Sequence, residues 1–143
     1  MKPLLAVITL LTMAIALMAA DDPSTFVDHE KVAAALAKGG PLVTAQDLLV
    51  SGSHRTGPGQ VEVHEKQTDI IYVIDGEATF VTGGAIVGSK TTSPGQFLGT
   101  DIRNGVTHHL SKGDVVVVPA GTPHWFKEVP QPISYFVVKV LKP

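Results

Sequence analysis

Short blocks of apolar residues, some alternating with polar ones, follow one another along the chain after Pro41, and Gly or Pro residues separate them. Such punctuation is typical of strands. It predicts strands over Asp47–Arg55, Gln60–Lys66, Asp69–Asp75, Glu77–Val81, Val106–Leu110, Asp114–Val118, His124–Lys127 and Ile133–Leu141. Many short strands of this kind indicate an antiparallel sandwich or closed barrel rather than alternating strands and helices. We therefore expect an all-β fold.

Local signals predict one helix and one tight turn. Asp28 is a helix-capping residue before the run His29–Lys38, and Gly39-Gly40-Pro41 ends that run. We expect a short helix that packs on the sheet. Asp75-Gly76 is a strong two-residue turn signal and predicts a hairpin between the strands on either side.

Three predicted strands are apolar on both faces, namely Ile70–Ile74, Val115–Val118 and Tyr135–Val138. A strand with one face in water alternates, so the second face of these strands needs cover. Either the N-terminal segment or a second copy of the chain supplies it, and we expect a homodimer. The segment Thr82–Thr107 has six glycines and little periodicity; its length predicts an extension with a short extra hairpin and a candidate pocket rim.

The apolar N-terminus changes the expected location of the protein. Residues 4–20 carry no charge, Lys2 precedes them and small residues end the run. This layout predicts a secretory signal over residues 1–20, hence a periplasmic or secreted protein without a stable membrane anchor after cleavage. An uncleaved anchor is the alternative, because 17 apolar residues can nearly span a bilayer.

Composition excludes several function classes. Without residues 1–20 the chain has 10 Lys+Arg and 13 Asp+Glu, a net charge of −3, and no basic stretch. Nucleic acid is therefore not an expected partner. Since Cys is absent, disulfides, thiolate nucleophiles and Cys metal ligands are excluded as well.

Four side chains are candidates for a metal site. In Val61-Glu62-Val63-His64, the alternation puts Glu62 and His64 on one side of a strand, and Asp69 opens the next strand. His124 follows the rigid turn Pro119–Pro123. Two imidazoles and two carboxylates meeting inside a barrel suit a divalent metal. Spacing alone equally allows exposed hairpin residues and an ordinary turn histidine.

Two motifs resemble those of the cupins, a superfamily of small β-barrels. The first cupin motif, G-x5-H-x-H-x3,4-E-x6-G, agrees in spacing with the run from Glu62 through His64 and Asp69 to Gly76. The second, G-x5-P-x-G-x2-H-x3-N, agrees at Gly113, Pro119, Gly121 and His124. The match spans roughly residues 59–128. It implies an antiparallel double-stranded β-helix, a jelly-roll barrel over residues 47–143, preceded by a helical and extended arm over residues 21–46.

The resemblance assigns the metal ligands to Glu62, His64, Asp69 and His124. Glu62 replaces the first histidine of the motif, and the shorter Asp69 replaces its glutamate. Two histidines with one carboxylate leave coordination positions open and suit iron, manganese or zinc. A barrel that has lost its metal is the alternative.

Other residues are weaker candidates. Glu128 stands at the position of the motif's asparagine with the strand parity of His124, so it is a candidate acid or base; a surface glutamate is the alternative. His108 shares the inward parity of Leu110, whereas His109 does not, and His108 is a candidate catalytic or substrate-binding group; a polar pair at the strand end is the alternative. Arg103 is a candidate anion anchor, with a loop ion pair as the alternative. Phe126 has inward parity, whereas Trp125 and Tyr72 have outward parity.

These observations support two functional hypotheses. The first is a small exported metalloenzyme that acts on a small molecule by oxygenase, isomerase or lyase chemistry at an open metal site. The second is a non-catalytic cupin that binds a sugar or organic acid. Fold and ligands do not choose between them.

Overall fold

Eleven strands and one helix form the part of the chain that the computed structural model describes, residues 22–143. The predicted signal segment lies outside the described residues. The elements are α1 (His29–Lys38), β1 (Gly40–Thr44), β2 (Leu48–Arg55), β3 (Val61–His64), β4 (Gln67–Thr82), β5 (Ala85–Val87), β6 (Lys90–Ser93), β7 (Gln96–Gly99), β8 (Asp101–Arg103), β9 (Val106–Ser111), β10 (Val115–Val118) and β11 (His124–Leu141). Within residues 22–143, the only helix is too short and too polar to cross a bilayer.

Two long strands connect the layers of the fold. One half of β4 and one half of β11 lie in a first layer with the order β1-β2-β11-β4-β10. Their other halves lie in a second layer with the order β6-β7-β3-β11-β4-β9. Every pairing is antiparallel, and the architecture is a double-stranded β-helix, which confirms the predicted fold class.

The predicted hairpin at Asp75-Gly76 is wrong. Both residues lie inside β4, and the residues on either side of them pair with the same strand, β11. The predicted break before Ile133 is wrong for the same reason, because β11 is continuous and bends beside β4 through a series of register shifts. Gly76 has φ +83°, and a Cβ atom there would lie 2.0 Å from the Pro132 carbonyl oxygen. The glycine thus permits a corner rather than a reversal of the chain.

The main core lies between the two layers. The Phe80 ring meets that of Phe126 edge-on, with centroids 4.7 Å apart, and Phe126 stacks on Tyr135 at 5.0 Å. Phe80 and Ile133 are fully buried. Removal of a core ring of this kind costs about 3–5 kcal/mol. This aromatic stack forms the floor beneath the candidate site.

The outer faces of the two layers differ in their cover. The extension 82–107 forms the sheet β5–β8 and the hairpin β6–β7, and its Ile86 and Ile102 pack with Trp125 over the second layer. On the first layer, α1 lies so close to β2 that a Cβ atom on Gly52 would lie 2.7 Å from the Ala35 backbone. The rest of that face is open, and β1, which was not predicted, extends its edge.

The helix begins and ends where the sequence indicates. The Asp28 carboxylate accepts a hydrogen bond from the Lys31 amide at 3.0 Å, and the Gly39 amide donates to the Ala35 carbonyl at 2.8 Å. Both contacts satisfy backbone groups that a helix end leaves unpaired. Because the caps are local, these boundaries follow from the sequence.

Candidate metal centre

Three side chains from two paired strands converge inside the roll. β3 pairs with β11 so that Glu62 lies opposite His124. His64 follows on the same side of β3, and its Nε2 lies 3.3 Å from Glu62 Oε2. One ligand atom from each of Glu62, His64 and His124 lies within 4.8 Å of the others. Residues 60 positions apart in the sequence therefore share one small volume.

Hydrogen bonds at Nδ1 fix the orientation of both imidazole rings and determine which nitrogen carries the lone pair. His124 Nδ1 lies 3.1 Å from the Thr122 carbonyl oxygen. A carbonyl only accepts, so Nδ1 carries the proton and Nε2 of the neutral ring carries the lone pair. His64 Nδ1 donates likewise to Gln96 Oε1. The Nε2 lone pairs of two rings, 5.2 Å apart between centroids, are thus left for a ligand.

The extension is what supplies Gln96. β7 pairs with β3, and Gln96 lies opposite His64. Partners of this kind hold the ring orientation of metal-binding histidines. None of the extension's residues lines the cavity described below. The predicted pocket rim therefore does not border this cavity. The extension contributes β6 and β7 to the second layer and reaches the site through β3, which pairs with β7.

The charge states match those of metal ligands. The His64 ring, whose Nε2 lies 3.3 Å from Glu62 Oε2, holds the pKa of Glu62 below its ordinary value. Burial lowers the pKa of His124 below its ordinary value, because the charged ring loses solvation. At neutral pH, Glu62 is a carboxylate and His124 is uncharged. These are the forms that bind a cation.

Asp69 lies beside the group but has a partner of its own. Its Oδ2 is 3.7 Å from Nε2 of His64 and 3.7 Å from Nε2 of His124. The same oxygen is only 2.6 Å from Lys139 Nζ. Asp69 does not belong to the close group of three, whereas its buried Oδ1 lacks a hydrogen-bond partner within residues 22–143. The structure thus pairs Asp69 with a lysine at the border of the site.

The donor set fits a divalent metal. Nitrogen and oxygen ligands lie about 2.0–2.2 Å from zinc, so ligands of one ion lie roughly 3–4.4 Å apart. The separation of 3.3 Å between His64 and Glu62 falls in this range. Nε2 of His64 is buried without a hydrogen-bond partner in the described chain, and it faces a carboxylate. A cation between that lone pair and the carboxylate would satisfy both.

A cavity of about 170 Å³ is lined by two members of this group, Glu62 and His124. Ile71, Phe126 and Val137 give it apolar walls. Its polar lining comes from strands of both layers and the loop before β3: Ser53, Arg55, Gln60, Glu62, Asp69, His124, Tyr135 and Lys139. Sequence reasoning missed Arg55, Lys139 and Tyr135 as site residues, since no motif includes them and only the pairing of β11 with β2 and with β4 brings them to the site.

The two candidate catalytic residues lie elsewhere. Glu128 is exposed and accepts a hydrogen bond from Thr79 Oγ1 at 3.1 Å. His108 is half-buried, 2.9 Å from Thr82 Oγ1, whereas His109 is exposed, as strand parity predicts. Neither Glu128 nor His108 lines the cavity. Arg103 is exposed on β8 and does not line it either.

Known proteins share this architecture. The family model described as Cupin matches residues 47–141. One similar solved structure is a Bacillus halodurans protein, with 14% sequence identity and a TM-score of 0.59; the match covers 85% of this chain and 84% of that one. Another is a Thermus thermophilus protein, with 21% identity and a TM-score of 0.51, and the match covers 72% of this chain and 81% of that one. An 11S globulin from Wrightia tinctoria is similar over 67% of this chain and 21% of its own length, with 15% sequence identity and a TM-score of 0.50. These likenesses show the fold alone, and no curated protein matches. The family match spans most of the sequence and includes all three residues of the group, and the chain belongs to the cupin family.

Proposed function

We propose that this cupin holds a divalent cation, iron, manganese or zinc, on Glu62, His64 and His124, and acts on a small molecule in the cavity. One observation carries the proposal, namely the convergence of two Nε2 lone pairs and one carboxylate on a single buried point. Two imidazoles and one carboxylate are a donor set that suits these metals and leaves positions for a ligand. Oxygenase, isomerase or lyase chemistry is open to such a site.

The residues of the chain have distinct parts in this function. A bound cation would supply polarisation of a substrate oxygen. Gln96 and Thr122 hold the two rings, so the lone pairs stay directed at one point. The aromatic and aliphatic walls lower the local dielectric, which strengthens charge interactions in the cavity. The ammonium of Lys139 pairs with Asp69 at 2.6 Å, at the border of the metal group.

A non-catalytic binding cupin is the second candidate. The observation that favours it is the absence of Glu128 and His108 from the cavity lining. A proton-transfer residue must come within hydrogen-bond reach of its substrate. Turnover or oxygen consumption by the metal-loaded protein would favour the enzyme, and binding without turnover would favour the second candidate.

Export belongs to the same proposal. It rests on the uncharged run over residues 4–20 and the preceding Lys2. Amino-terminal sequencing of the protein from its native host should begin near Asp21. A start at residue 1 or 2 contradicts cleavage.

A homodimer through the first layer is also proposed. Within residues 22–143, β10 pairs only with β4, and its four valines carry no charge to discourage pairing with a second copy. Light scattering should give twice the monomer mass for the wild type and the monomer mass for Val117→Lys. A monomeric wild type contradicts the dimer.

Elemental analysis tests the metal site. The purified wild type should hold about one divalent ion per chain, and His64→Ala/His124→Ala should hold almost none. His54→Ala/His109→Ala is the matched control, since it removes two exposed histidines. Glu62→Ala should lose more metal than Asp69→Ala. Equal metal in the wild type and the His64/His124 variant contradicts the proposal.

A further inference from the structure

Arg55 lies at the wall of the cavity that contains the metal group. It stands opposite Ile133, and Ser53 of the same strand stands opposite Tyr135. Because Ile133 and Tyr135 are buried, this register turns Arg55 toward the interior. Its Cζ lies 4.8 Å from the centroid of the Phe126 ring. Cation–π stacking thus holds the guanidinium inside the roll.

The Arg55 guanidinium has no anionic partner among residues 22–143. No carboxylate lies within 4.0 Å of it, and its Nε is buried without a hydrogen-bond partner. Arginine stays charged in proteins, and on this half-buried residue the buried Nε is left without an acceptor, which costs free energy. The group is therefore suited to receive an anion.

The charges around the cavity lead to the same conclusion. Arg55 and Lys139 balance Glu62 and Asp69 among the lining side chains. A divalent cation at the metal group adds two positive charges to that balance. Since buried charges need compensation, the loaded cavity favours a ligand with negative charge.

We infer that Arg55 binds the carboxylate of a short organic acid, whose second oxygen group, a hydroxyl, a carbonyl or another carboxylate, faces Glu62, His64 and His124. The contact with Arg55 stands by itself, and the second contact rests on the proposed function. A volume of about 170 Å³ has room for about five or six water molecules at roughly 30 Å³ each. It therefore suits an acid of a few carbons.

Gly59 provides a way to move the guanidinium without touching a metal ligand. A Cβ atom at this position would lie 2.7 Å from Arg55 Nη1. The loop is held in place, because Trp125 Nε1 donates to the Gly59 carbonyl oxygen at 2.7 Å. Gly59→Ala should therefore displace the arginine and leave the rest of the cavity intact.

Calorimetric titration with lactate, malate and succinate tests the inference, with lactamide and succinamide as uncharged controls. Both the zinc-loaded and the metal-free protein are titrated. The acids should bind and the amides should not. Arg55→Gln should raise Kd roughly 10- to 100-fold, the range expected for loss of charged hydrogen bonds. Arg55→Lys should lie between, because it keeps the charge but loses the fork. Gly59→Ala should also weaken binding, and Arg103→Gln, which removes the other arginine, should not.

The results separate this inference from the proposed function. Zinc bound without any of the acids contradicts the role of Arg55 only. Acids bound through Arg55 by a protein that takes up no metal contradict the metal proposal only. Amides that bind as tightly as acids, or wild-type affinity in Arg55→Gln, overturn the inference. If Arg55→Gln does not fold, Arg55→Lys and Gly59→Ala decide, and unchanged affinity in both overturns it.

Discussion

The cavity and the outer face of the first layer reverse the usual distribution of side chains. Inside, the charged residues Arg55, Glu62, Asp69 and Lys139 line the cavity. Outside, Tyr72, Val115, Val117 and Val140 share one face of β4, β10 and β11, and each is more than 40% exposed. In β11, Lys139 points into the roll and Val140 points out of it. Stability alone favours the opposite arrangement on both faces. We therefore interpret both as binding surfaces, the cavity for the proposed ligand and the outer face for the proposed second copy of the chain.

Loss of charge balance inside should have the largest effect on stability. Asp69→Asn removes the partner of Lys139, whose Nζ lies 2.6 Å from the carboxylate. Breaking a buried pair from one side leaves an uncompensated charge, and we expect a loss of about 3 kcal/mol in the free energy of unfolding. Urea unfolding measures it. Asp69→Asn/Lys139→Met should regain most of that loss; if the double variant is less stable than Asp69→Asn, the ion pair is not the cause.

A valine-to-alanine substitution on each face of β10 compares the inner and outer faces directly, through the free energy of unfolding. Val118 is 2% exposed and its neighbour Val117 is 55% exposed. Val118→Ala should cost about 2 kcal/mol, from lost burial and the cavity left behind. Val117→Ala should cost less than about 0.5 kcal/mol in unfolding of the monomer, as surface changes do. Equal losses measured at low protein concentration would contradict the assigned faces.

Local signals predicted the fold class, and long-range pairing decided the rest. The caps Asp28 and Gly39 and the cupin spacing up to His124 lie within short stretches of sequence, so the helix and the close group could be predicted. The dipeptide Asp75-Gly76 is compatible both with a hairpin turn and with a bend inside one strand. Which of the two forms depends on pairing with the distant strand β11. No sequence signal marks Lys139, because its register against Asp69 depends on how β11 pairs with β4.

Gln96 could not be predicted for a related reason, and it gives a test outside the cavity. Its Oε1 accepts from His64 Nδ1, and its place opposite His64 depends on the pairing of β7 with β3. Gln96→Leu should lower metal affinity at least tenfold, as loss of a histidine's orienting partner does, or by about 1.4 kcal/mol. Competition with a chelator of known affinity measures it. The exposed Gln131→Leu is the control, and equal affinity in both variants would show that Gln96 does not orient the ring.

A fall in pH should have the smallest effect on the free energy of unfolding, and that effect should depend on a buried histidine and not on an exposed one. Burial holds the pKa of His124 in the folded chain below the ordinary value of 6.5 that applies when the chain is unfolded. The unfolded state therefore binds a proton more readily, so stability is fully present above pH 6.5 and falls as the pH drops from there toward the folded-state pKa. Glu62, whose pKa the neighbouring His64 ring lowers below 4.5, adds a second loss below that pH, with the same sign. Urea unfolding of the metal-free protein between pH 4 and pH 8 should show this decline. His124→Gln should flatten the curve just below pH 6.5, whereas His29→Gln, which changes an exposed ring, should leave it unaltered. The same curve in all three proteins would mean that the buried imidazole is not the group that titrates.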